Sequence, residues 1–220
     1  MEKRFAFNNA LPLLGERFAH EPCYIDLSED GPHVEAVRNL SQRDLDKYIK
    51  AIQAEHGVAW SLSGERERRM AMYRMFGLTE SYLHIGLDVN VPAGTPLFAP
   101  FDCVVVAKGY DTRDGGGGFG GNITLKVEGY GETFYLMFGH LAKHIGRKVG
   151  DFVKAGEHFA NTGDWTENGG WFDHTHVQVL TQKAFAQNLI WGFVRPSDYP
   201  NPDEYSPSPM RIIQTVWQKN

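Results

Sequence analysis

A chain of 220 residues with 42% hydrophobic and 22% charged side chains can bury one sizeable core, which excludes wholesale disorder. A formal net charge of -5 and a pI near 6.0 give none of the basic footprint that nucleic-acid or anionic-membrane partners require. Two cysteines, Cys23 and Cys103, are too few for a disulfide framework, and no run approaches the roughly 18 apolar residues of a membrane span.

Aromatics at 13% and 24 glycines point to a strand-rich, turn-rich fold. Near the start, Leu11-Pro12-Leu13-Leu14 is too short for the apolar core of a signal peptide, so a cytoplasmic location is the expectation. Residues 1 to 40 carry little periodicity and are expected to be irregular. Ser41-Gln42-Arg43-Asp44 then reads as a helix cap, followed by Leu45, Tyr48, Ile49 and Ile52 at helical spacing and by Gly57 as a stop. A second helix is expected from Gly64 to Phe76, with Glu65-Arg66-Glu67-Arg68-Arg69 as its solvated face. These segments make residues 1–80 an irregular and helical N-terminal extension.

From Tyr82 the pattern changes to strands and glycine turns. His84 and Asp88 stand four apart, about 13 Å between α-carbons in a straight strand, and Gly86 between them is a plausible kink. Val91-Pro92-Ala93-Gly94 and Val153-Lys154-Ala155-Gly156 repeat a turn that leads into an apolar strand, the trace a duplicated β unit would leave. The glycine run from Asp114 to Asn122 lacks the Gly-Lys-Ser/Thr ending of a phosphate loop and precedes a strand, which argues against nucleotide binding and for a loop at the rim of a site. Ile123, Leu125 and Val127 alternate as a half-buried strand, and Thr133 to Phe138 reads as a central strand ending at Gly139-His140-Leu141. His140 there reads equally as functional or structural.

The stretch Trp171 to Leu180 is expected as a strand, which places His174, His176 and Gln178 on one face and Val177 and Val179 on the other. Two imidazoles roughly 6.6 Å apart suit a hydrolytic metal site. By itself the pair more often marks a strand edge with two solvated or hydrogen-bonded histidines.

In order, His84-x-x-x-Asp88, Ala93-Gly94-Thr95-Pro96, Gly120-Gly121-Asn122, Gly139-His140-Leu141, Gly150-x-x-Val153-x-x-Gly156 and His174-x-His176 resemble the lysostaphin-type zinc metallopeptidases, the bacterial glycyl-glycine and peptidoglycan endopeptidases. The likeness covers roughly residues 81 to 182. It implies a mainly β fold, an antiparallel duplicated hybrid motif over 81–182, with residues 183–220 as a tail packed on it. It implies Zn2+ held by His84, Asp88 and His176, with His140 and His174 as catalytic histidines. The implied activity is hydrolysis of peptide bonds in a glycine-containing or peptidoglycan-like substrate, with a metal-activated water as nucleophile.

Gly169-Gly170-Trp171 and Ser206-Pro207-Ser208-Pro209 look more loosely like a subgroup fused to class III aminotransferases. Asp173 and Thr175 stand where the family usually has proline and leucine, and Asp173 is expected to alter the charge of the cleft. Cys103 stands at a usual glycine. The Gly115 to Gly118 loop, Trp165 and Trp171 are candidate cleft walls. Two other readings compete: a cytoplasmic metal-dependent hydrolase of a small amide, and a non-catalytic regulatory module. Oligomeric state is not legible in this sequence.

Overall fold

The alternating run Ile123 to Val127 and the apolar run Phe134 to Phe138 lie at the centre of the molecule, as strands with one or both faces covered must. The structure, a computed structural model, describes residues 7–18, 20–74, 77–111, 117–189 and 192–214, the side chains of Asn8, Arg17 and Gln214 excepted. Its strands are β1 (Cys23–Tyr24), β2 (Ser61–Ser63), β3 (Arg68–Arg69), β4 (Tyr82–His84), β5 (Leu87–Asn90), β6 (Pro96–Phe98) and β7 (Cys103–Asp111). They continue with β8 (Gly120–Val127), β9 (Phe134–Leu141), β10 (Phe152–Val153), β11 (His158–Asn161), β12 (Thr175–Thr181) and β13 (Phe193–Val194). Eight of them form one sheet in the order β1-β2-β5-β12-β9-β8-β7-β10, antiparallel except at the β1-β2 edge. The fold is mainly β, as expected.

The two copies of the Val-x-Ala-Gly turn prove to be structural counterparts. Gly94 and Gly156 both take positive φ, at 80° and 81°, a conformation glycine reaches without strain. The strands that follow them, β6 and β11, pair with each other in antiparallel register.

Residues 1–40, expected to be irregular, contribute β1 to the main sheet and a short helix α1 (Val34–Asn39). The capped helix is α2 (Gln42–Glu55): the Ser41 side chain accepts from the Asp44 amide, and Leu45 and Ile49 are buried. The second expected helix is overturned. Gly64 and Arg66 adopt positive φ, 92° and 55°, so residues 64–67 turn sharply into β3, and only α3 (Ala71–Arg74) is helical; Phe76 lies outside the described residues. Beyond β12, α4 (Gln182–Ala186) is capped by Thr181, β13 pairs with β4, and Ile212 and Ile213 of α5 (Met210–Gln214) enter the main core. Both cysteines are free thiols, Cys103 buried, and no helix among the described residues is long and apolar enough to cross a membrane.

Candidate metal centre and neighbouring histidines

β12 lies between β5 and β9, and its register sets His176 opposite Asp88 on one side and Gly139 on the other. The strand starts at Thr175 rather than at the expected Trp171, because the Asn168 side chain holds residues 170–172 in a turn through bonds to the Gly170 and Trp171 amides and the Trp171 carbonyl. Gly86 supplies the kink between β4 and β5 at φ 115°. A Cβ there would stand 2.7 Å from the Val177 carbonyl oxygen and 2.8 Å from the His176 ring, so glycine lets β12 and its imidazole approach. Across this kink His84 Nε2 comes to 3.2 Å from Asp88 Oδ1.

His176 Nδ1 is likewise 3.2 Å from Asp88 Oδ1, and ligand atoms of His84, Asp88 and His176 all lie within 4.8 Å of one another. Burial above all lowers the His84 pKa, so its approach to Asp88 is that of a neutral ring with a free lone pair, not of an ion pair. The His84 Nδ1–H donates to the Gly64 carbonyl at 2.7 Å, which fixes the tautomer and leaves Nε2 facing Asp88. Burial would raise the Asp88 carboxyl, but the Arg69 guanidinium holds it well below the usual carboxylate range. A buried carboxylate facing two imidazole nitrogens, His84 Nε2 and His176 Nδ1, is a donor set that suits zinc. The residues present therefore fit a zinc ion.

In the charge run 65–69, expected to be solvated, Arg68 is exposed, whereas Glu67 and Arg69 are buried and back this cluster. Arg69 is 3% exposed; its Nη1 donates to Asp88 Oδ2 at 2.8 Å and its Nε to Glu67 Oε2 at 2.8 Å. Glu67 Oε1 accepts from the Gly64 amide and from the Tyr24 hydroxyl, each at 2.8 Å. One turn thus orients two of the three candidate ligands: Gly64 holds His84, and Arg69 holds Asp88. Neither residue was singled out from sequence.

His140 and His174 stand beside the cluster, ring centroids 4.4 Å apart, with His174 Nε2 3.6 Å from Asp88 Oδ1. Each donates Nδ1–H to a main-chain carbonyl, His140 to Asn168 at 2.7 Å and His174 to Phe172 at 2.8 Å, so that Nε2 keeps its lone pair. His140 occupies φ 61°, rare for a residue with a side chain, and its own amide and carbonyl are bonded to Phe119 and Gly163.

Burial pushes His174 down to about 4 and His140 well below its ordinary value, the latter helped by the neighbouring His174. Between about pH 6.5 and 4 the unfolded chain therefore binds more protons than the folded one. Stability of the metal-free protein falls as pH drops through that window, by about 3 kcal/mol for His174 alone. Urea midpoints on zinc-free protein at pH 7 and pH 4 measure this, and an unchanged midpoint contradicts it.

The structure brings His84, Asp88, His140, His174 and His176 to the wall of one cavity. Trp171, Gly117 and Gly118 line it too, whereas Gly115 and Gly116 lie outside the described residues. Trp165 does not line it; it is 36% exposed with the Arg43 guanidinium 5.1 Å from its ring. Asp173 also turns away from the cavity, accepting from Lys50 at 2.9 Å, so its charge is spent on α2 and not on the cleft. Thr175 points to the Gly139 carbonyl, away from the cluster as expected. Asn168, fully buried, was missed: in sequence Glu167-Asn168-Gly169-Gly170 carries only the mark of a turn.

Residues 82–188 match the sequence model of peptidase family M23. No curated protein matches the chain. Among solved structures it is similar to lysostaphin, with 24% identity and a TM-score of 0.42 over 61% of this chain and 44% of that one. It is similar to the lysostaphin catalytic domain from Staphylococcus simulans, with 28% identity and a TM-score of 0.39 over 53% and 78%. A third likeness is to the catalytic domain of the prophage-encoded M23 protein EnpA from Enterococcus faecalis, with 25% identity and a TM-score of 0.38 over 53% and 78%. The chain therefore spans less than half of the lysostaphin chain it matches. The segment matched by the family and the segment carrying the motifs coincide, and residues 82–188 are a domain of peptidase family M23.

Proposed function

We propose that the chain is a zinc-dependent endopeptidase or amidase that hydrolyses peptide bonds in a peptidoglycan-like or glycine-containing peptide. The observation that carries this reading is the convergence of His84 Nε2, Asp88 Oδ1 and His176 Nδ1 beside two further histidines whose lone pairs are free. Zinc held by His84, Asp88 and His176 would supply Lewis-acid activation of water and of the amide carbonyl.

The chain's own residues do the rest. His140 and His174 rest neutral because burial disfavours their charged forms, so each can accept a proton at Nε2. The Asn168 and Phe172 carbonyls accept from Nδ1–H, and the same bonds strengthen when a ring becomes cationic and returns its proton to the departing amine. The apolar surroundings of Phe119, Trp171 and Phe172 keep bulk water from the reacting groups. The peptidoglycan-like substrate class rests on the family likeness.

Protein purified without chelator is expected to carry stoichiometric zinc and to cleave pentaglycine or peptidoglycan fragments, with small amides as the comparison set. A chain that takes up no zinc, or a zinc-loaded chain that cleaves none of these, overturns the reading.

A further inference from the structure

The cavity of about 230 Å³ that the histidines and Asp88 line is walled beyond them by Met72, Tyr73, Leu78, Phe119, Trp171 and Phe193. Its aromatic wall is continuous with the reactive groups. Phe119 lies 5.9 Å from His140 and 5.7 Å from His176, centroid to centroid, and Trp171 lies 5.7 Å from His140. From Trp171 the wall runs to Tyr73 at 6.4 Å and on to Phe193 at 4.4 Å. The wall is assembled from α3, Leu78, the entry to β8, the turn before β12, and β13, so residues flanking the M23 domain on both sides help to shape it.

A glycine on either side of the scissile bond would leave this wall facing water. An apolar cavity of about 150 Å³ already takes up a benzene ring. The larger one here, shared with the polar groups of His84, Asp88, His140, His174 and His176, has room on its aromatic side for a phenyl or branched aliphatic group. Full burial of such a side chain contributes about 1.5–3 kcal/mol, equivalent to roughly 10- to 150-fold in affinity.

We propose that this cavity is a specificity pocket for a bulky apolar side chain, aromatic or branched aliphatic, on one of the two residues joined by the scissile amide. This rests on the metal-hydrolase reading above and narrows its substrate class.

The test uses the zinc-loaded full chain and two zinc-chelating probes, N-acetylglycine hydroxamate and N-acetylphenylalanine hydroxamate, titrated by calorimetry. The phenylalanine probe is expected to bind about tenfold tighter or more. Equal binding, or tighter binding of the glycine probe, overturns the pocket while leaving the hydrolase reading standing. Failure of both probes to bind defeats the hydrolase reading and the pocket with it. Leu78 is only half-buried at the cavity wall, so Leu78→Trp can narrow the space without opening the core. That variant is expected to bring the ratio between the two probes down to about threefold or less; an unchanged ratio places the phenyl group elsewhere and overturns the assignment.

Discussion

His140→Ala is expected to keep its zinc and lose about 10²- to 10⁴-fold in turnover, the usual worth of a positioned proton-transfer group, whereas His84→Ala loses zinc and activity together. The distinction follows from geometry. His84 is one of the three side chains whose ligand atoms share a 4.8 Å neighbourhood, and no fourth side chain among the described residues completes the set if it goes. His140 lies outside that set, its Nδ1–H bonded to the Asn168 carbonyl and its ring 5.7 Å from that of Trp171. Because His140 sits at φ 61°, alanine there adds backbone strain, and His140→Asn is the better second variant, since asparagine tolerates the left-handed region. Zinc content by atomic absorption, read beside turnover on the same preparations, separates the two roles. A fully active His140→Asn would sink the catalytic assignment, and a His84→Ala that keeps stoichiometric zinc would sink the ligand assignment. Combining His140→Asn with His174→Ala should cost little more than either alone, because the two rings act on one proton path.

The five residues of this site were assembled in sequence through the resemblance that the ordered motifs carry, and strand geometry accounts for part of their grouping. Pairing between neighbouring strands fixes which residues face each other, so His176 on β12 meets Asp88 and Gly139, while His174 lies just before the strand and is held by the Phe172 carbonyl. Gly86 could be read as the kink because only a break in a straight strand lets residues four apart share a ligand. The capped helix was equally legible, since Ser41 and Asp44 interact within one turn. What sequence could not show is where a local pattern has two solutions. Alternating charges at 65–69 look the same on a solvated helix and in a buried network, and the partner that decides, Asp88, lies 19 residues beyond Arg69. Trp165 and Trp171 were likewise indistinguishable as cleft walls until the Asn168 turn aimed one at the cavity and left the other at the surface.

Arg69→Met is expected to weaken zinc binding by about 10- to 100-fold, the range found when a residue that orients a ligand is removed. A guanidinium beside a cation site invites the opposite expectation, that removing it should strengthen binding. Here, however, Arg69 is shared by two buried carboxylates, Asp88 and Glu67, 1% and 6% exposed. Without the cation, one of them takes up a proton, the local charge is restored, and what remains is a carboxylate with nothing on Oδ2 to aim Oδ1 at the imidazoles. Zinc uptake should then release an additional proton and weaken more steeply as pH falls. The metal-free variant should also lose about 3–5 kcal/mol of stability, the cost of breaking a buried ion pair from one side. Glu67→Gln combined with Arg69→Met separates the effects: removing both charges should recover part of the stability while zinc affinity stays low. Arg69→Lys restores the charge but not the planar fork that serves two acceptors, and should fall between. Competition with a chromophoric chelator at pH 7 and pH 6 measures affinity, and denaturant unfolding of zinc-free protein measures stability. An Arg69→Met protein that binds zinc as tightly as the parent at both pH values would show that the 64–69 turn braces the fold and does not orient the metal ligands.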